Sequence, residues 1–451
     1  MTNNLIRKYN VPGPRYTSYP TVPYWDQESF SPAAWNKSLL RSFKDNKNIS
    51  LYIHLPFCES LCTFCGCNKR ITKKHSVESP YINNLIKEWD MYLELLGEKP
   101  IIREVHLGGG TPTFFAPQNL QLLLETLFSK AEKHPNAELS FEGHPNNTTK
   151  EHLTSLANLG FNRVSYGVQD YNEKVQKAIH RIQPFANVKR ATDEARQTGF
   201  DSVGHDIIFG LPFQNKDHIV ESIEKTKQLM PDRIAFYSYA HVPWIKGNGQ
   251  RGFKEADLPT ASEKRDMYET GKQMLEEAGY VEIGMDHFAL KSDSLYKAME
   301  QKELHRNFMG YTTSSKTSMI GLGVSAISDS WFGFAQNEKT VEAYEAKIAE
   351  GVIPVVKGHI LNEEDLTIRK HILNIMCNLE TSWETPENYF KELPEVLMSL
   401  KEMEEDGLLT FLDHGLKVLE AGRPFVRNIC MAFDLKMKAN KPDTQLFSMT
   451  V

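Results

Sequence analysis

Four of the six cysteines of this 451-residue chain fall in one short stretch, at Cys58, Cys62, Cys65 and Cys67. The other two, Cys377 and Cys430, are far downstream. A disulfide framework disperses its pairs along a short secreted chain, so a tight run of four reads as a metal site. Two kinds of metal come into question. In a 4Fe–4S cube held only by protein, each iron takes one thiolate. Three cysteines at C-x3-C-x2-C would hold three corners and leave the fourth iron open to a small molecule. A structural zinc would need all four cysteines, with Cys65 and Cys67 closing on one ion across a single residue. That is tighter than the usual C-x2–4-C pairs, and no second C-x2-C or H-x3-H pair follows. The iron cluster is the stronger reading.

Other residues could serve such a centre. Gly108-Gly109-Gly110-Thr111 follows the run 102–107. Glycines there let backbone N–H groups approach a ligand, and Thr111 adds a hydroxyl. No G-x4-G-K-[ST] is present, which excludes a phosphate loop. Glu142 ends the run 137–142, and Gln169, Asp206 and Ala240 stand at the same end of three later runs. A carboxylate at 142 can accept from sugar hydroxyls or balance a positive charge. Asp206, beside Ile207-Ile208-Phe209, needs a polar partner if buried. Arg181 lies in a neighbouring loop or helix. The plain alternatives are a tight turn for the glycines, and a surface acid and a surface arginine for Glu142 and Arg181.

The elements that must position these residues are legible from periodicity. Apolar and β-branched runs at 49–55, 102–107, 137–142, 163–168, 202–209, 233–239 and 281–286 alternate with amphipathic stretches at 80–96, 118–133, 185–197, 217–229 and 262–278. This alternation predicts an α/β fold with a parallel sheet covered by helices. A complete or partial (β/α) barrel fits it, as does an open doubly wound sheet, and active sites gather at the carboxyl ends of such strands. Residues 1–35 read as an extended arm, because Pro12, Pro14 and Pro20 forbid a helix there. Residues 36–340 form the βα region. Residues 341–451 read as helices at 366–377 and 389–406 followed by a hairpin around Asp413-His414-Gly415, a winged-helix-like arrangement. With no basic recognition helix, that module is expected to pack against the rest of the chain rather than bind DNA.

Bulk properties exclude other classes. Hydrophobic residues make up 40% and charged residues 24%, as in ordinary soluble globular proteins. No run of eighteen apolar residues could span a membrane, and the first residues lack a signal-peptide core, so a cytoplasmic location is expected. The net charge of −6 provides no global field for nucleic acid or an anionic membrane. An acidic substrate would have to be met by local arginines and lysines.

The loop Cys58-Glu59-Ser60-Leu61-Cys62-Thr63-Phe64-Cys65 resembles the hallmark of radical S-adenosylmethionine (SAM) enzymes. With Gly66-Cys67-Asn68-Lys69, the resemblance narrows to the oxygen-independent coproporphyrinogen III oxidase (dehydrogenase) family. It runs through Pro12-Gly13-Pro14-Arg15-Tyr16, Gly108-Gly109-Gly110-Thr111-Pro112-Thr113, Gly284-Met285-Asp286-His287-Phe288, His305-Arg306-Asn307-Phe308, the stretch from Gly321 to Ser328, and Arg427-Asn428-Ile429-Cys430-Met431. The resemblance implies a partial (β/α) barrel of radical SAM type. It also implies a 4Fe–4S cluster on Cys58, Cys62 and Cys65, and two SAM molecules. Carried over position by position, Tyr52, Gly109, Glu142 and Ile327 would contact the SAM on the cluster. Phe64, Gly110, Thr111, Gln169, Arg181, Asp206 and Ala240 would contact the second. Cys67 would belong to the active-site loop without being a ligand.

The implied reaction converts two propionates of coproporphyrinogen III to vinyl groups, giving protoporphyrinogen IX, through a 5'-deoxyadenosyl radical. It needs an electron donor and an electron acceptor of unidentified kind, no nucleic acid and no membrane; a monomer is expected. The substrate carries four carboxylates, and Arg15 and Arg306, each in an otherwise apolar or aromatic motif, are the candidate cationic donors; structural salt bridges are their alternative. One departure stands out: Glu142 is followed by Gly143-His144-Pro145, where the family commonly has an acid before the proline. Heme chaperones on the same barrel lack the Pro-Gly-Pro-Arg-Tyr arm and carry an aromatic where Cys67 stands. Radical methyltransferases and heme-opening enzymes share the loop but not the arm or the C-terminal motifs.

Overall fold

Alternation along the apolar runs decides what each strand presents to either side. In β1 (Asn48–Leu55), Ile49, Leu51, Ile53 and Leu55 are fully buried in the main apolar core, whereas Ser50, Tyr52 and His54 face the other way. The same split recurs in β2 (Ile101–Gly109), where Val105 and Leu107 join the core while Glu104 and His106 oppose them. In β3 (Glu132–Gly143), Leu139 and Phe141 face the core, with Glu138, Ser140 and Glu142 on the reverse side. The strands are therefore amphipathic rather than continuously apolar. Their outer face packs under helices, and their inner face is polar.

The computed structural model describes residues 3–26, 28, 30–243, 250, 252–313, 317–440 and 446–450. After β3 come β4 (Arg163–Gln169), β5 (Ser202–Phe209), β6 (Arg233–Ser238), β7 (Tyr280–Gly284) and β8 (His287–Leu290). They are followed by β9 (Ser318–Leu322), β10 (Ile327–Asp329), β11 (Gly333–Asn337) and β12 (Val355–Ile360). All join one twelve-stranded sheet in the order β12-β11-β10-β9-β1-β2-β3-β4-β5-β6-β8-β7. From β9 to β6 every neighbouring pair is parallel. The outer pairs are antiparallel. This is the α/β architecture expected, a partial barrel of parallel strands extended at both edges.

Three sequence expectations need adjusting. The run 281–286 is not a further parallel strand but half of the β7–β8 hairpin, which pairs antiparallel to β6. The parallel neighbour on the far side of β1 is β9, a five-residue strand containing Gly321 that periodicity alone did not single out. The helix expected over 118–133 ends at Ser129, because Glu132 already pairs with Ile101 as the start of β3.

A helix at Asn3–Tyr9 precedes the prolines of the arm, which then runs extended. Tyr16 and Tyr19 of the arm are buried with Ile368, Leu400, Leu409 and Phe425 in one apolar cluster. That cluster unites the helices Glu363–Asn378, Leu393–Glu405 and Val426–Phe433 with a small antiparallel sheet of Glu380–Ser382, Leu409–Leu412 and Gly415–Val418. The arm is clipped to the last described residues: Gly13 donates to the Ser448 carbonyl and Thr450 to that of Val11.

Candidate active site

The cysteine loop leaves the carboxyl end of β1. Its base is closed by a short parallel pairing of Phe57–Cys58 with Arg70–Ile71. Its far side is held where the Thr63 amide and hydroxyl donate to the carbonyls of Ile179 (3.0 Å) and Ala178 (2.9 Å). The Lys69 ammonium donates to the carbonyls of Cys65 and Cys67 across the loop. Cys58, Cys62, Cys65 and Cys67 all line one cavity of about 370 Å³. Burial pushes the Cys58 thiol up to about 11. The neighbouring Cys67 thiol lowers Cys65 and is itself raised. The Arg181 guanidinium approaches the Cys62 sulfur at 3.7 Å, and its Nε is buried without a hydrogen-bond partner.

The glycines after β2 have a specific reason to be glycine. At Gly109, φ is 109°, and a Cβ would stand 2.6 Å from the His54 ring. At Gly110 a Cβ would stand 2.6 Å from the Pro56 backbone. The end of β2 is thus laid directly on the cysteine loop. The amides, expected to reach a ligand, are spent within the chain. Gly109 donates to Glu142, Gly110 to the Leu55 carbonyl and Thr111 to that of Phe57. The Thr111 hydroxyl lies 3.3 Å from the Cys58 sulfur.

Strand register builds the inner wall. Tyr52 is paired with His106, and His106 with Ser140, so one row crosses β1, β2 and β3. The Tyr52 and His106 rings stack, with centroids 6.1 Å apart. His54 donates from Nε2 to the Asn68 carbonyl, which leaves Nδ1 to accept from the Tyr52 hydroxyl at 3.0 Å. His106 bridges Ser140 (2.8 Å) and Glu142 (3.4 Å). Burial opposes the charge on Glu142, but His106 and the Gly109 amide outweigh it and hold the carboxyl below its ordinary value. Across the site, Asp206 accepts from the Ser165 hydroxyl at 2.9 Å, and burial with the nearby Glu142 raises it to about 7. Gln169 ends β4 at φ 69°, a strained conformation for a non-glycine residue at a register shift between β4 and β5.

A second cavity, of about 840 Å³, adjoins the first across Cys67, Lys69, Gly109 and Glu142. The residues singled out from the sequence divide between the two. Tyr52 and Ile327 line the larger cavity alone, while Gly109 and Glu142 line both. Phe64, Gly110, Thr111, Gln169, Arg181 and Asp206 line the one that holds the cysteines. Ala240 lines neither; its carbonyl is tied to that of Phe64 through the Gln250 side-chain amide.

The donor set can be tested against the two metals. Tetrahedral zinc would bring its sulfurs within about 4 Å of one another. Among the described residues, no three cysteine, histidine or carboxylate side chains converge closely enough to hold one ion. Thiols that face a shared cavity without meeting at a point, with an arginine beside them, fit the separate corners of an iron–sulfur cube.

Residues 52–226 match the family described as the radical SAM superfamily. The oxygen-independent coproporphyrinogen III oxidase of Synechocystis sp. is 38% identical, over 99% of this chain and 97% of that protein. Its counterpart in Helicobacter pylori is 39% identical over 96% of each. The chain belongs to the oxygen-independent coproporphyrinogen III oxidases. The solved structure of coproporphyrinogen III oxidase (HemN) from Escherichia coli, a radical SAM enzyme, superposes with a TM-score of 0.88 at 35% identity, covering 93% of this chain and 97% of that one. Membership in this radical SAM family implies a 4Fe–4S cluster and SAM as cofactors. No helix among the described residues is long and apolar enough to cross a membrane.

The two arginines expected to meet the substrate of such an oxidase lie outside both cavities. Arg15 pairs with Asp286 at 3.0 Å and donates to the Ser238 carbonyl. Arg306 is buried, donates to the Arg15 carbonyl and lies over the Tyr311 ring. Sequence reasoning missed His54 and His106. The signal was there, since each is an isolated polar residue near the end of an apolar run, on the same strand face as a chosen neighbour.

Proposed function

We infer that this protein oxidatively decarboxylates two propionate side chains of coproporphyrinogen III to vinyl groups without oxygen, giving protoporphyrinogen IX in heme biosynthesis. The observation that carries the inference is 38% identity to an oxygen-independent coproporphyrinogen III oxidase over 99% of the chain, together with a C-x3-C-x2-C loop opening onto a cavity at the carboxyl ends of parallel strands. Each propionate loses one hydrogen atom, one electron and carbon dioxide. When bound, the cluster and SAM supply the adenosyl radical that takes the hydrogen.

The chain's own residues hold and orient these groups. Cys58, Cys62 and Cys65 are proposed as the cluster ligands. Arg181, beside the Cys62 sulfur, places a positive charge against a thiolate. Glu142, kept ionised by His106, would accept hydrogen bonds from SAM hydroxyls. Tyr52, oriented by His54, would pack beside it. Asp206, Gln169 and the wall around Phe64, Gly110, Thr111 and Ala240 would take a second SAM. Two adjoining cavities, one reached only by Tyr52 and Ile327 and the other only by Phe64, Gly110, Thr111, Gln169, Arg181 and Asp206, with Gly109 and Glu142 at their junction, support two SAM molecules. Cys67 lines both cavities and would act in the active-site loop without ligating. Arg15 and Arg306 are proposed to meet substrate carboxylates.

The test is anaerobic. Reconstituted protein should carry about four iron per chain, with a reduced-cluster EPR signal that SAM alters. It should convert coproporphyrinogen III to protoporphyrinogen IX in the presence of a reductant and an electron acceptor. Zinc in place of iron, or SAM cleavage without porphyrinogen oxidation, would refute the reading.

A further inference from the structure

A separate cavity of about 90 Å³ lies where the arm, the sheet and the C-terminal helices meet. Five cationic residues line it: Arg15, Lys264, Arg265, Arg423 and Arg427. Its two carboxylates, Asp286 and Glu282, are already engaged. Asp286 pairs with Arg15 and with His287 at 2.8 Å, and Glu282 with Lys272 and the Tyr268 hydroxyl. Arg265 and Arg423 pair with Glu269 and Glu420.

Lys264 and Arg427 have no carboxylate partner among the described residues. Arg427 is 5% exposed and donates only to carbonyls, those of Gly13, Pro14, Met449 and Thr450. The Lys264 ammonium meets the Tyr239 carbonyl at 3.3 Å. Room is made for this lysine, since a Cβ on Gly210 (φ 83°) would stand 2.8 Å from Lys264 Cε. Burial first, and then the charge of Arg15, lower Lys264 to about 8 and Arg427 to about 9. Neighbouring cations withdrawn from water with no carboxylate in salt-bridge reach of either are unfavourable, and a bound anion would relieve both desolvation and repulsion.

We propose that this cavity binds an anionic group, a carboxylate or a phosphate, held between Lys264, Arg427 and Arg15. Its volume suits one such group rather than a whole porphyrin. The group belongs either to a propionate of the porphyrinogen or to a free anion. Only the first of these rests on the function inferred above.

The test uses anaerobically prepared holoenzyme and inorganic phosphate, with chloride at matched ionic strength as control. Phosphate should raise the thermal midpoint of the wild type in a saturable way. Lys264→Gln should weaken the apparent phosphate affinity about tenfold. Lys264→Arg, which keeps the charge, should retain the response. Without phosphate, Lys264→Gln should melt no lower than the wild type, because an unpaired cation has been removed. Absence of a saturable response in the wild type, an unchanged response in Lys264→Gln, or a lower phosphate-free midpoint in that variant would overturn the site. Competition between phosphate and coproporphyrin III, but not its tetramethyl ester, would assign the site to a propionate. Phosphate binding without such competition would assign it to a free anion, and stands even if the enzyme has another substrate.

Discussion

Toward the amino ends of β3, β4 and β6, Glu138 meets Arg163 at 2.9 Å and Arg233 at 3.6 Å, and Arg233 meets Asp293 at 2.7 Å. Glu104 beside them accepts from the Ser50 and Thr312 hydroxyls. Burial opposes the charge on Glu138, but the two arginines outweigh it and hold the carboxyl down at about 2. At the carboxyl ends of the same strands the polar groups are left less complete. Asp206 has a serine rather than a cation, and Gln169 is strained. The Glu142 side chain is 46% exposed, against 16% for Glu138. One end of the barrel interior is completed by the chain itself. The other is shaped for groups that arrive from outside, and charge completion separates support from site.

Three perturbations would sharpen or break that contrast. The largest concerns function at the mouth. Cys62→Ala should abolish iron retention by three-cysteine ligation and with it all turnover, while shifting the stability of the metal-free chain by about 1 kcal/mol or less. Iron content, turnover and urea unfolding of the apo protein would check this together. At the opposite end, Glu138→Ala leaves Arg163 and Arg233 facing each other in a buried space. It should cost about 3–5 kcal/mol of stability, read from the urea midpoint, while the folded fraction keeps its ability to assemble a cluster. If Glu138→Ala proved no more destabilising than Cys62→Ala, the two ends would not differ as described.

The third perturbation is a pH dependence. The folded-state value of Asp206, about 7, lies above its ordinary value of 3.8. Between those two pH values the unfolded chain has released the proton while the folded chain still holds it. Asp206 therefore lowers stability progressively as pH rises from about 4 to 7, with no further change above. Asp206→Asn should be more stable than the wild type at pH 8, by up to about 4 kcal/mol at about 1.4 kcal/mol for each pH unit between the two values, with the two proteins converging near pH 4. Parallel stability curves for the two proteins would show that Asp206 is compensated within the fold.

Much of this architecture was legible beforehand because strands and helices announce themselves through periodicity. β1 to β6 and the helices between them follow from apolar runs and their spacing. Strand direction does not, since antiparallel β7 and β8 look locally like further βα strands. β9 escaped notice because five residues with a glycine carry little pattern. At the site, the cysteine spacing and the strand-end residues could be read directly. Of the histidines that orient Tyr52 and Glu142, His54 shares a strand face with Tyr52 and carried a local signal, whereas the role of His106 depends on register with a strand far away in sequence.

The local code by itself determined the thiol loop, the alternating elements and the family. Periodicity, cysteine spacing and glycine placement are properties of short segments, and they survive without knowledge of the fold. Only the tertiary structure decided that the Gly109 and Gly110 amides serve the chain rather than a ligand, that the candidate cofactor residues spread over two adjoining cavities with Gly109 and Glu142 at their junction, and that Lys264 and Arg427 share a pocket in which neither is paired with a carboxylate. Those facts depend on which distant groups meet and how completely they satisfy one another's charge and hydrogen bonds, and no single segment carries that information.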